Sequence, residues 1–233
     1  MAGTIVSFVI AGLAFHGSHV VPSSTRLRGN LRDQLGERGF LALYSGVALA
    51  TFAWFVTAYA HAPEIPLWRV PPWMALIPLV VMPFAAILVI GGYTTPNPTA
   101  VGMERAAGED DPAPGILRVT RHPALWGFGL WALSHIAPNG DLASLLFFGS
   151  LAALALGGTV LIDRKKRLAL GSNWPRLAEV TSNIPFAAII AGRSRLRPHE
   201  IGLLRIVAGL LLFAVLFLAH PLITGRPIVI PWL

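Results

Sequence analysis

Five apolar stretches, each near 20 residues long and almost free of charge, recur along this chain, and their lengths leave few folds open. About 20 residues of helix span the hydrocarbon core of a bilayer, roughly 30 Å thick. Residues 2–21, 39–60, 72–93, 142–162 and 206–223 meet or approach that length, and 39–60 carries no formal charge. Pro22 is expected to stop the first, whereas Pro78 and Pro83 should kink the third without ending it, because neighbouring helices satisfy the freed carbonyls. A shorter apolar run, 123–137, opens on a proline at a first helical position and closes on the turn Pro138-Asn139-Gly140-Asp141, which predicts a fourth helix hairpinned to the fifth. The predicted fold is all-α, a polytopic transmembrane bundle of about six helices. Charged residues make up 12% of the chain, about half the share of a soluble domain, which argues in the same direction.

The basic residues sit between the apolar runs. Arg26, Arg28, Arg32 and Arg38 separate helices one and two; Arg105, Arg118 and Arg121 separate three and four. Eight more (Arg164, Lys165, Lys166, Arg167, Arg176, Arg193, Arg195 and Arg197) separate five and six, with Arg205 directly before the sixth run, while the opposite loops and tail hold Arg69 and Arg226. The positive-inside rule then predicts a multi-pass protein of a bacterial inner membrane with both termini periplasmic. The net charge of +7 is explained by topology and anionic lipid headgroups, so membrane lipid is an expected partner and nucleic acid is not. Apolar segments run the whole length, so residues 1–233 are expected to form a single domain. The absence of cysteine excludes disulfides and thiolate ligation. No basic residue precedes Ile5, so the N-terminus is expected to be a membrane helix and not a cleaved signal. Residues 94–114, with an acidic cluster at Glu109-Asp110-Asp111, read as a solvated loop. Residues 185–192 are apolar but too short to cross, and are expected at the membrane surface.

Ionisable groups at membrane depth are costly and tend to be functional, which makes the histidines informative. His61, His220 and His199 are placed at interfaces. His16 and His19 share one face of helix one near its cytoplasmic end. On helix four, His122 and His135 are 13 positions apart, about 20 Å of rise, too far to share a metal. His19 and His122 are predicted at similar depth. Pattern alone leaves two readings open: a ligand pair, or histidines that satisfy polar backbone near a bend and a helix start.

Assembled in order, several strings carry more. Ser18-His19, Leu35-Gly36-Glu37-Arg38, Leu117-Arg118-Val119-Thr120-Arg121-His122-Pro123, Trp131-Ala132-Leu133-Ser134-His135, Asp163-Arg164-Lys165-Lys166-Arg167, Thr181-Ser182-Asn183-Ile184-Pro185-Phe186-Ala187-Ala188 and Gly192-Arg193 resemble the NnrU family. That family includes the plant and cyanobacterial 15-cis-ζ-carotene isomerases. The resemblance runs from about residue 8 to residue 197, leaving helix six and the tail outside it.

The resemblance implies haem b held by two histidines, here His19 and His122 with His135 and His16 in reserve, and iron redox state gating cis-to-trans isomerisation of a carotene. If the chain is an enzyme, a haem-dependent cis–trans isomerase is expected. The bacterial branch is associated with nitric oxide and denitrification, so the apolar partner is either a polyene or nitric oxide. Runs such as Val20-Val21-Pro22-Ser23 and Ala124-Leu125-Trp126 depart from the isomerases. Haem needs an apolar slot and cations for its propionates; Arg118, Arg121 and Arg26 are the candidates, and Tyr44 or Thr120 are candidates to orient an imidazole. The alternative is a membrane methyltransferase resembling isoprenylcysteine carboxyl methyltransferase, with a similar Arg-His-Pro serving S-adenosylmethionine; Asp163 to Arg167, Trp174 and Ile184-Pro185 echo that layout. It expects Glu where Asp163 stands and gives His19 no task.

Overall fold

A computed structural model describes residues 3–24, 27–100, 102–225 and 228. Among these the fold is all-α: α1 (Ile5–Ser24), α2 (Leu27–Ala60), α3 (Leu76–Thr94), α4 (Pro123–Ile136), α5 (Leu142–Ala169), α6 (Asn173–Val180), α7 (Ala187–Ile190), α8 (Pro198–Ile201) and α9 (Leu203–Thr224). Five of them, α1, α2, α3, α5 and α9, are long and apolar enough to cross a membrane. The expected fourth crossing is the exception, because α4 has 14 residues and rises only about 21 Å.

Several boundaries move for identifiable reasons. Pro22 does not stop α1 at once, but it removes the N–H that would bond the carbonyl four residues back, and the helix ends two residues later at Ser24. The basic segment before residue 39 is itself helical, joined to the apolar part of α2 across a break at Gly36 (φ 70°, ψ 170°), a left-handed φ that glycine adopts freely. Pro78 falls in the first turn of α3, where a backbone N–H needs no intrahelical partner, so only Pro83 lies deep enough to disturb the helix. Finally, α5 runs past residue 162 through the basic cluster to Ala169. Lys166 and Arg167 in its last turn suit the negative end of the helix dipole, and the first breaker is Gly171 at φ 51°.

The chain divides into two compact units, residues 1–69 with 140–150, and residues 70–139 with 151–233, α5 contributing to both. In the first unit α1 packs on α2 around an aromatic ladder: Phe55 stacks on Phe8 at 5.2 Å and on Phe15 at 5.7 Å, and Tyr59 stacks on Phe147 at 4.4 Å. Asp141 caps α5 by accepting the Ser144 N–H at 2.9 Å, and the Ser144 hydroxyl meets the Tyr59 phenol at 2.8 Å.

In the second unit α3 packs on both α4 and α9, and glycine allows the close approach. A Cβ at Gly92 would lie 2.5 Å from the Ala124 nitrogen. At Gly127 it would lie 2.7 Å from the Ala85 carbonyl oxygen, and at Gly209 2.7 Å from the Ile87 Cα. Such small-residue contacts are how apolar helices pack without a hydrophobic drive between them. Gly92→Ala and Gly127→Ala should each cost about 1–3 kcal/mol through overpacking. Gly157→Ala, where a Cβ meets nothing within 4 Å, should gain about 0.5–1 kcal/mol from helix propensity. Thermal unfolding of the three variants in one detergent checks the contrast, and equal midpoints would contradict it.

Candidate functional site

Two of the sequence strings, separated by some sixty residues, zip together. The Phe186 N–H donates to the Val119 carbonyl at 2.8 Å and the Arg121 N–H to the Ser182 carbonyl at 3.0 Å, while the Thr120 hydroxyl donates to the Asn183 carbonyl. The pairing is antiparallel, 119 with 186 and 121 with 182. It holds Phe186 at φ 64°, a conformation that bulky residues adopt only when the surroundings fix it. On the far side, Asn97 Nδ2 and the Thr99 hydroxyl both donate to the Arg121 carbonyl. The residues preceding α4 are thereby fixed on two sides before any side chain of the site is considered.

That scaffold gathers donors onto one carboxylate, Asp163, on the extension of α5. Arg121 approaches it in a fork, Nε to Oδ1 at 2.9 Å and Nη2 to Oδ2 at 2.7 Å. His122 donates from Nε2 to Oδ1 at 2.7 Å, and Asn183 from Nδ2 to Oδ2 at 3.2 Å. These bonds occupy the lone-pair positions a carboxylate offers. His122 is 3% exposed, and its Nδ1 faces the Thr99 hydroxyl at 3.5 Å. The Arg121 guanidinium also lies over the Trp174 ring, 5.3 Å from its centroid.

This geometry bears on each expected site residue. In this structure Nε2 of His122 donates to Asp163 and the ring is enclosed. Arg121 is likewise paired with that carboxylate. Arg118 sits away from both: its side chain donates from Nε to Glu200 at 2.7 Å and from Nη2 to Asp111, so it ties the loop before α4 to α8. Hydrogen bonds from Arg118 and then Arg197 hold the Glu200 carboxyl down to about 2. The acidic loop is therefore not wholly a solvated charge run, since Asp111 has a partner. Thr120 serves the backbone N–H of His122 at 3.2 Å. Arg26 lies outside the described residues.

His19 and His135 belong to different units but share one local device. In each, Nδ1 takes the carbonyl four residues back, Phe15 at 2.9 Å for His19 and Trp131 at 2.7 Å for His135. The preceding serine, Ser18 or Ser134, donates to that same carbonyl. With the proton of His19 on Nδ1, its Nε2 carries the lone pair, the tautomer a metal-binding imidazole needs. The signal was present in sequence as a repeated aromatic-x-x-Ser-His, at 15–19 and at 131–135. His61 also bonds the carbonyl four residues back, but without the serine and in an exposed position. His16 is different again, with Nδ1 at 2.8 Å from the Gly12 carbonyl and Nε2 at 3.0 Å from that of Ser150. Tyr44 lies beside His19, ring centroids 6.1 Å apart.

The family model described as NnrU protein matches residues 7–228. The match includes the last long helix, which the motif strings had left outside. Two curated proteins are similar to the chain. One is the chloroplastic 15-cis-zeta-carotene isomerase of Zea mays, 28% identical over 218 residues covering 88% of this chain and 58% of that protein. The other is the enzyme of the same name from Arabidopsis thaliana, 27% identical over 211 residues covering 85% and 55%. The chain thus spans little more than half the length of these relatives. No solved structure matches it. With nearly its whole length matched by the family model, the chain belongs to the NnrU family.

Proposed function

We propose that the chain is a membrane-embedded isomerase acting on a cis double bond of a polyene, with haem b as cofactor. The observation that carries this reading is its similarity, over 85–88% of its length, to two enzymes named for isomerising 15-cis-ζ-carotene. In this reading the arginine-rich segments face the cytoplasm, α4 completes the passage with α5, and both termini are periplasmic. When bound, haem would supply an iron centre whose redox state gates rotation about the double bond.

The residues that suit such a group are narrower than the sequence suggests. His19 presents an imidazole in the Nδ1–H tautomer, whereas His122 is bonded to Asp163. Methyl transfer has no comparable support, because Arg121 and His122, which it requires at its cosubstrate, are bound to Asp163.

Expression in a bacterium that accumulates 15-cis-ζ-carotene in the dark tests the activity. The expected result is conversion to the isomer with a trans central bond, read by chromatography. A folded, haem-loaded protein that leaves the isomer ratio unchanged would overturn the isomerase reading.

A further inference from the structure

Beside the Asp163 network lies an open pocket of about 300 Å³ whose lining includes Arg121, Arg167, Trp174, Asn183, Ile184 and Arg193. None of its described lining residues is acidic. Arg121 is neutralised by Asp163, so the unbalanced charge comes from the other two arginines. Arg193 directs Nη1 at the carbonyls of Ala178, Glu179 and Thr181, at the C-terminal end of α6. Arg167 lies over the same indole as Arg121, 5.9 Å from the Trp174 centroid. Among the described residues neither Arg167 nor Arg193 has a carboxylate within salt-bridge distance. Asp163 already offsets the Arg121 charge, so the charge of Arg167 over the same ring is the one left without a carboxylate, and an entering anion would meet it.

The chemistry around the pocket indicates which anion. Ile184, on its lip, is 63% exposed, and Phe186 and Ile190 in the same segment are exposed as well, Ile190 by 84%. Water does not favour such a ledge; a headgroup boundary does. Phe186 is held in its left-handed conformation by the bond to Val119, so the ledge is built into the fold. Arginine forks match phosphate oxygens with geometric specificity.

We propose that this pocket binds the phosphate of an anionic phospholipid, with Arg167 and Arg193 as the cations and with Ile184, Phe186 and Ile190 against the acyl region. The proposal rests on the reading of the chain as a membrane protein but not on isomerisation.

Native mass spectrometry of delipidated, detergent-purified full-length protein provides the test, with phosphatidylglycerol, phosphatidylcholine and inorganic phosphate added in turn. Phosphatidylglycerol should be retained in preference to phosphatidylcholine. Arg167→Gln should weaken its binding about fivefold, the value of one arginine at an anionic surface, and Arg167→Lys should recover most of the loss. Arg164→Gln, an exposed cation of the same cluster outside the pocket, should bind as the wild type does. Equal retention of both lipids, an unchanged Arg167→Gln, or equal losses in Arg164→Gln and Arg167→Gln would each overturn the site. Inorganic phosphate bound as tightly as phosphatidylglycerol would contradict a lipid ligand. The readout uses no substrate, so its failure leaves the isomerase reading standing, and a failed isomerase assay leaves this site standing.

Discussion

Asp163→Ala should cost the protein about 3–5 kcal/mol, enough to leave little of it folded in mild detergent, because it strands the charge of Arg121 and the N–H of His122 with no acceptor. The side chains of Arg121 and His122 are 12% and 2% exposed, so water does not replace the lost carboxylate. Asp163→Asn should be intermediate, since its carbonyl still accepts one bond while Arg121 loses its countercharge. Arg164→Ala, one residue along the same helix but exposed, should change stability by less than about 0.5 kcal/mol. Thermal unfolding followed by circular dichroism checks all three. Asp163→Ala with a wild-type midpoint would mean that the network contributes nothing to the fold.

The same network explains what was legible in the sequence and what was not. Helix lengths and apolar runs are local properties, so the five long helices could be read from hydropathy, and Pro123 at the start of α4 from its position before an apolar run. Boundaries governed by more than one residue were harder. Pro22 resembles a stop in sequence but falls in the last turn of α1, and α5 continues through Asp163 because Lys166 and Arg167 suit its C-terminal end. The site was legible as a set of residues and illegible as a set of partners. Arg118, Arg121 and His122 occupy one short string, yet Arg118 pairs with Asp111 and Glu200 while its two neighbours pair with Asp163. Pairings over 82 and 42 residues depend on how α5 and the 181–186 segment return to α4, which no periodicity encodes. The bond from His122 Nε2 to Asp163 was therefore not legible in the string. The Ser-His device is local, and its repetition at 15–19 and 131–135 was present in the sequence throughout.

The second large effect follows from that device. A haem held by two imidazoles is six-coordinate and low-spin, so removing either ligand should be visible as a change of spin state or as loss of the cofactor. His19→Ala removes an imidazole whose Nδ1–H is committed to a backbone carbonyl, and it should give high-spin or haem-free protein. His122→Ala removes one of the donors to Asp163; it should lower stability by about 1–3 kcal/mol, the penalty of a broken buried hydrogen bond, and leave the spectrum of the surviving folded fraction unchanged. His61→Ala should change neither. The deciding measurement is the absorption spectrum of detergent-purified protein, oxidised and dithionite-reduced, for the wild type and these three variants. The account predicts a low-spin b-type spectrum in the wild type that is lost in His19→Ala and retained in His122→Ala. A folded wild type without haem, or a spectrum that depends on His122 and not on His19, would contradict it.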